Sequence, residues 1–350
     1  MQDSTNAEIE QIRKELGSKL SIVAHHYQSD PIVKHADVIG DSLELARKVA
    51  ALDSENIVFC GVNFMAESAA LLARPGQKVY LPAPDAQCVM AKMVPADLLD
   101  IVLSKLNGEG RKILPLAYVN TSVAVKAVVG KHGGAVCTSA NAEKMMRWAY
   151  GQSEKVLFLP DKNLGHNTAN RIGIPENSRQ LLDVRARGQH VGEIDENAKL
   201  LLWPGRCAIH ARFHLDDITE LRDKYPGIRI AVHPECAPEL VNASDASGST
   251  SFLIKFAAEA PDGSVVGIGT EINLVERLAK LHEGRIKVIP LFASACSDMA
   301  KTTPGKLLDC LRSVSGKAAA GEPVYEPITI DPADTQPARD SLTRMLEASK

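Results

Sequence analysis

The sequence predicts an α/β protein built from three similar αβα three-layer domains with parallel sheets, arranged about a pseudo-threefold axis. Three observations predict it. Apolar runs of strand length alternate with helical patterns along the whole chain. One unit is written three times: a strand that runs into polar residues (SIVAHHY, ILPLAYVN, IRIAVHPE), a hydroxyl residue that opens an apolar-periodic helix (Ser42, Ser139, Thr250), and a cysteine just past an apolar strand (Cys88 after KVYLPAP, Cys207 after KLLLWPG, Cys296 after IKVIPLFAS). The spacing is kept. His25 to Ser42 and His233 to Thr250 are both 17 positions, and Ser42 to Cys88 and Thr250 to Cys296 are both 46. The middle copy has the same order with insertions, 21 positions from Tyr118 to Ser139 and 68 from Ser139 to Cys207.

The first third reads as strands at Ile22–Ala24, Ile57–Cys60 and Val79–Leu81, with helices at Asp41–Leu52 and Met65–Leu72. The second reads as strands at Ile113–Tyr118, Ala135–Thr138, Val156–Leu159 and Leu200–Trp203, with a helix at Asn141–Ala149. The last reads as strands at Ile228–Val232, Val265–Ile268 and Val288–Leu291, with helices at Ser251–Glu259, Asn273–Leu281 and Lys306–Ser313. Residues 164–198 are polar, hold Pro175 and several glycines, and show no period, which predicts an inserted loop. Residues 316–337, rich in Pro, Gly and Ala, predict an extended tail, and Ala338–Ala348 a short amphipathic helix. The expected domains are 1–105, 106–198 with the insertion, 199–290, and a C-terminal segment 291–350 that packs back on the first repeat and completes it.

The chain of 350 residues has a formal charge of −3 and no block of Lys or Arg, which argues against nucleic acid or an anionic membrane as partner. No apolar stretch has the length of a membrane span, and the N-terminus reads as a polar helix rather than a signal peptide. The expectation is a cytoplasmic protein. Seven cysteines in so long a chain do not form a disulfide scaffold, so metal binding is the sharper use for some of them.

Ligands of parallel sheets lie beyond the carboxyl ends of strands. The polar residues found there form three pairs, His25 with Tyr27, Tyr118 with Asn120, and His233 with Glu235. Their i, i+2 spacing puts both members on one face of an extended segment. A single such pair is more often structural than catalytic, but three in register predict a shared site. Ser42, Ser139 and Thr250 read most simply as helix N-caps. Helix N-termini also bind anions, so three facing one cavity would suit a small polyanionic substrate. No glycine fingerprint for a nucleotide is present.

The spacing of Cys88, Cys207 and Cys296 leaves two readings open. They are partly buried thiols, or they converge as three ligands of one metal centre with a coordination position to spare. Cys60, Cys137 and Cys310 read as core, and Cys236 directly follows HPE.

In order along the chain, AHHYQ, GDSLELA, GVNFMAES, YVNTSVAVKA, CTSANA, PDKNLG, WPGRCAIH, HPECAPE, ASGSTS, GTEINLVERL and CSDMAK resemble the quinolinate synthase family from about residue 10 to 348. The resemblance implies a [4Fe–4S] cluster held by Cys88, Cys207 and Cys296, with one iron open to substrate. It implies condensation of iminoaspartate (iminosuccinate) with dihydroxyacetone phosphate to quinolinate, with loss of phosphate and water, in NAD biosynthesis. It implies substrate contacts from His25, Ser42, Tyr118, Asn120, Ser139, His233, Glu235 and Thr250, with Tyr27 beside the reacting atoms. Tyr27 and Glu235 are then the candidates for moving protons, and His233 and His25 for orienting substrate. L-aspartate oxidase is the implied supplier of iminoaspartate, and an exposed sheet edge is compatible with either a monomer or a homodimer. The alternative is an iron–sulfur hydro-lyase of aconitase type acting on a small polycarboxylate.

Overall fold

A computed structural model describes residues 2–108, 110, 112–185, 188 and 190–349. The chain forms three parallel sheets. The first unit runs α1 (Gln2–Leu16), β1 (Leu20–His25), α2 (Asp30–Val33), β2 (Val38–Gly40), α3 (Ser42–Ala51), β3 (Asn56–Cys60), α4 (Asn63–Leu72) and β4 (Lys78–Tyr80). The second runs α5 (Ala96–Gly108), β5 (Ile113–Tyr118), α6 (Val123–Lys131), β6 (Ala135–Cys137), α7 (Ala142–Gln152), β7 (Lys155–Leu159), α8 (Lys162–Ile172), β8 (Arg179–Leu181), β9 (Val184–Arg185), β10 (His190–Val191) and β11 (Leu200–Leu202). The third runs α9 (Leu215–Lys224), β12 (Arg229–Val232), α10 (Pro238–Ala243), β13 (Ala246–Ser247), α11 (Thr250–Ala258), β14 (Val265–Gly269), α12 (Ile272–Leu281) and β15 (Lys287–Pro290). Two helices follow, α13 (Pro304–Val314) and α14 (Pro332–Ala348).

The sheets share one plan. Their orders are β2-β1-β3-β4, β6-β5-β7-β11 with β8 added outside β11, and β13-β12-β14-β15, all parallel. The central strands are apolar on both faces because helices cover both, as in β1 and β5, where five of six residues are buried. Equivalent polar contacts recur as well. The Asp37 carboxylate accepts the Ile22 N–H at 2.7 Å, and Asp245 accepts that of Ile230 at 2.7 Å.

All ten strands read from the sequence are present; β2, β8 and β13, two or three residues each, carry too little pattern to be seen. The expected loop 164–198 is largely regular structure. The helix α8 occupies its start, capped by Asp161 accepting from Leu164 N–H at 2.8 Å and ended by Gly173 at φ 79°. After it β8 extends the second sheet, and β9 and β10 form an antiparallel pair. Residues 186, 187 and 189 of that segment lie outside the described residues. The last helix begins at Pro332, six residues before the predicted start, because Pro332 fits a first helical turn and Pro337 is accommodated inside the helix.

α13 packs on α1, and Arg312 grips Glu8 through two bonds of 2.7 Å. α14 lies instead on α6 and β6 of the second unit. The approach of α14 to α6 requires Gly130: a Cβ there would stand 1.9 Å from the carbonyl oxygen of Pro337. Gly130→Ala is therefore expected to lower stability by about 1–3 kcal/mol, an overpacking cost, read as a fall in Tm. An unchanged Tm would show that α14 shifts freely.

Candidate active site

In each sheet the chain leaves the first strand to one side and crosses back to the other, which opens a crevice at that strand's carboxyl end. β1 ends at His25, β5 at Tyr118, and β12 one residue before His233. The segments after β1 and β12 turn identically: Tyr27 N–H donates to His25 Nδ1 at 3.1 Å, and Glu235 N–H donates to His233 Nδ1 at 3.3 Å. An Nδ1 that accepts a backbone proton fixes the Nε2–H tautomer. Each ring is thus left with one N–H donor.

His25, Tyr27, Tyr118, Asn120, His233 and Glu235 all line one cavity of about 350 Å³, together with Ser42, Ser139, Thr250, Cys88, Cys207 and Cys296. Every residue singled out in the sequence for the site therefore reaches this space. The Oδ1 of Asn120 is buried and meets no donor among the described residues.

The N-cap reading of the three hydroxyls is corrected. Asp41 caps α3, accepting the Leu43 and Glu44 N–H groups at 3.0 Å, and Ser249 caps α11, accepting that of Phe252 at 3.3 Å. Ser42 and Thr250 are first helical residues, and Ser139 stands three residues ahead of α7. With their own caps in place, α3 and α11 offer the cavity hydroxyl groups more than helix ends.

The cysteines follow β4, β11 and β15, and each opens the same turn. Short 3₁₀ turns begin three residues on, at Ala91, His210 and Met299. Their backbones close on the cysteine carbonyls, with Lys92 to Cys88 at 3.3 Å, Ala211 to Cys207 at 3.1 Å and Ala300 to Cys296 at 3.0 Å. Burial raises all three thiols, Cys88 to about 12, while backbone N–H groups of the turns oppose it. Cys296 raises Cys88, and Cys88 raises Cys207, which puts the three sulfurs in one neighbourhood. Three partly buried thiols with backbone donors aimed at sulfur are costly to ionise alone and are stabilised as thiolates by a cationic centre. The donor set thus fits an iron–sulfur cluster. Cys207, His210 and Glu235 also bring ligand atoms within 4.8 Å of one another. However, both ring nitrogens of His210 are engaged by protein, which leaves it no lone pair for a metal.

Those engagements form a buried chain. Tyr27 OH meets Thr270 Oγ1 at 2.7 Å, Thr270 Oγ1 meets His210 Nε2 at 3.1 Å, and His210 Nδ1 meets Glu235 Oε2 at 2.7 Å. Glu235 also accepts a hydrogen bond from Tyr118, and the His210 ring stacks on His233 at 4.6 Å. Burial opposes charge on Glu235, but His210, His233 and Tyr118 outweigh it and hold the carboxyl below its usual range. His210 and Thr270 escaped the sequence reading, as did Asp161, which accepts the Cys207 N–H at 3.0 Å. Their signal lay in position: Thr270 directly follows β14, Asp161 stands two residues past β7, and His210 is three residues beyond Cys207.

A sequence model of the family described as Quinolinate synthetase A protein matches residues 7–347. The chain belongs to the quinolinate synthase family, a family of enzymes. The quinolinate synthase of Herpetosiphon aurantiacus is 45% identical over 347 residues, covering 96% of this chain and 90% of that one. Those of Streptomyces coelicolor (42% identical, 95% and 86% covered) and Lysinibacillus sphaericus (41%, 96% and 91%) are similar along nearly their whole length. No helix among the described residues is long and apolar enough to cross a membrane.

Burial pushes His25 and His233 down to about 3, from an unfolded value of 6.5. Below pH 6.5 the unfolded chain binds protons that these rings refuse when folded. Their contribution is complete above about pH 6.5 and is lost as pH falls toward 3, at up to about 1.4 kcal/mol per pH unit for each histidine. The depressed carboxyl of Glu235 acts in the same direction at lower pH. The Tm of the metal-free protein is expected to drop between pH 7 and pH 5, and less so in His25→Asn. A flat profile would mean that the rings protonate in place.

Proposed function

We propose that this cavity condenses iminoaspartate with dihydroxyacetone phosphate to quinolinate, with loss of phosphate and water, as a step of NAD biosynthesis. Its three units stand about a pseudo-threefold axis, with Cys88, Cys207 and Cys296 holding a [4Fe–4S] cluster. The observation that carries the reading is one cavity lined by three cysteines in identical turns and by a hydrogen-bonded chain ending on a tyrosine hydroxyl. When bound, the cluster supplies a Lewis-acidic iron free of cysteine.

The protein's own groups do the rest. The Glu235 carboxylate accepts from His210 Nδ1–H, which leaves Nε2 as an acceptor. Thr270 then donates to Nε2 and accepts from Tyr27, so every bond in the chain points away from the tyrosine. Tyr27 passes its proton through Thr270 to His210 as it takes one from substrate, acting as a base, and recovers it as it returns one to substrate, acting as an acid. Its hydroxyl sits in a buried setting that raises its pKa well above the usual value, so it keeps its proton until a reacting group demands it. His25 and His233 donate through Nε2–H to substrate oxygens. Asn120 Oδ1 awaits a donor, as the imine nitrogen or a hydroxyl provides. Ser42, Ser139 and Thr250 offer hydroxyls to carboxylate and phosphate oxygens.

The test is product analysis. The anaerobic protein, given both substrates, is expected to release quinolinate and inorganic phosphate together. Conversion of a polycarboxylate without phosphate release would point to a hydro-lyase instead.

A further inference from the structure

Helices α4, α8 and α12 follow equivalent strands, β3, β7 and β14. Each carries an asparagine in its first turn and a polar residue four positions on: Asn63 with Glu67, Asn163 with Asn167, and Asn273 with Arg277. The i, i+4 spacing puts both members on one helix face. In every case that face reaches into another unit.

From the second unit to the third, Asn163 donates to the carbonyl of Glu235 at 3.1 Å, and Asn167 to those of Pro234 and Cys236 at 2.9 Å each. From the third unit to the first, Asn273 donates to the carbonyl of Tyr27 at 3.3 Å. Arg277 donates to the carbonyl of His26, and to that of Gln28 at 3.1 Å. The two patterns are the same. The asparagine holds a central carbonyl, and the residue four positions on holds the carbonyls on either side. The central residues are Glu235 and Tyr27, the two ends of the buried hydrogen-bonded chain. In the segment after β5 the corresponding residue is Asn120. The carbonyls flanking it, of Val119 and Thr121, are held by the buried Lys126 of α6, the first at 2.9 Å. Glu67 of the first unit favours the charged form of that lysine and accepts the N–H of Val123, where α6 begins, at 3.0 Å. The contacts therefore run from first unit to second, second to third and third to first. Carbonyls past a strand end lie outside the ladder, and at a buried site they need donors. Here those donors come from side chains, and at two of the three turns from the neighbouring unit.

We propose that Asn167 and Arg277 are positioning residues, each clasping from a neighbouring unit the turn that carries Glu235 or Tyr27 and so holding the two ends of the proton chain in register. The effect on turnover rests on the reaction proposed above; the grip on the turns does not. The test takes Arg277→Met in the full chain, purified without oxygen. Hydrogen exchange is expected to quicken at residues 26–28, where the turn has lost its clasp, while iron content matches wild type. kcat falls about tenfold to hundredfold, the scale of an ångström-sized misplacement, and KM stays near the wild-type value. Tyr27→Phe/Arg277→Met is no slower than Tyr27→Phe, because the clasp acts through that hydroxyl. A purely structural role would instead add its loss to that of Tyr27→Phe. Asn167→Leu, cycled against Glu235→Gln with exchange read at residues 234–236, repeats the test at the other boundary and decides it if Arg277→Met does not fold. Unaltered exchange at these turns, or losses that add in full, overturn the clasp. Faster exchange at the turns of a protein that forms no quinolinate removes the reaction and leaves the clasp. Wild-type kcat with unaltered exchange in both single variants removes the clasp and leaves the reaction.

Discussion

Cys207→Ala protein, purified without oxygen, is expected to be colourless, to hold little iron and to make no quinolinate. Cys207 is one of three thiols brought to the central cavity by identical turns, and burial disfavours its thiolate unless a cation compensates. Under the proposed ligation, removing one of the three cysteines leaves two, too few to hold such a cluster. The neighbours make a good control set. Cys60 and Cys310 lie in a hydrophobic cluster between the first sheet and α13, away from the cavity. Cys60→Ala is expected to keep iron and turnover and to lose only stability, by about 1 kcal/mol for a small buried group. Equal iron in Cys207→Ala and wild type would sink the assignment of the cluster to these residues.

The second large effect is expected from Glu235→Gln. The amide keeps the shape of the side chain and can still accept from His210, but it carries no charge. The charge matters because His210, between Thr270 and Glu235, must hold a proton on Nδ1 and accept one on Nε2 as Tyr27 gives its proton up. Turnover is expected to fall about 10²–10⁴-fold, the usual worth of a positioned acid–base group, while the cluster's absorbance persists. Thr270→Val interrupts the same chain one bond earlier and is expected to be impaired as well, with Glu235 still charged. Normal turnover in Glu235→Gln would show that protons travel by another route.

The strands were legible because buried parallel strands are continuous apolar runs, and KVYLP, ILPLAY and KVIPLF state that openly. The repeat was legible because equal spacings survive between the first and third units. Helix α6 was not. VAVKAVVGK is apolar all round and rich in β-branched residues, so it shows no amphipathic helical period and is assigned no element in the sequence; α14 covers its outer face. Even its Lys126 is fully buried, donating to the carbonyls of Val119 and Thr121. α8 was hidden for the opposite reason, since KNLGHNTANRI is polar and carries a glycine, yet Asn163 and Asn167 bury their amides against the segment after β12. In the site, the i, i+2 pairs and the cysteines were readable from spacing. His210 and Thr270 were not, because their meaning comes from each other: a threonine after β14 and a histidine in the turn after Cys207 acquire a role only when folding brings them within 3.1 Å.

The most direct measurement is iron and acid-labile sulfide per chain in the anaerobically purified protein, taken on the same samples as the rate of quinolinate formation. The expectation is about four of each per chain, with rate rising in proportion as empty protein is loaded. Full turnover from protein stripped of iron would contradict the account.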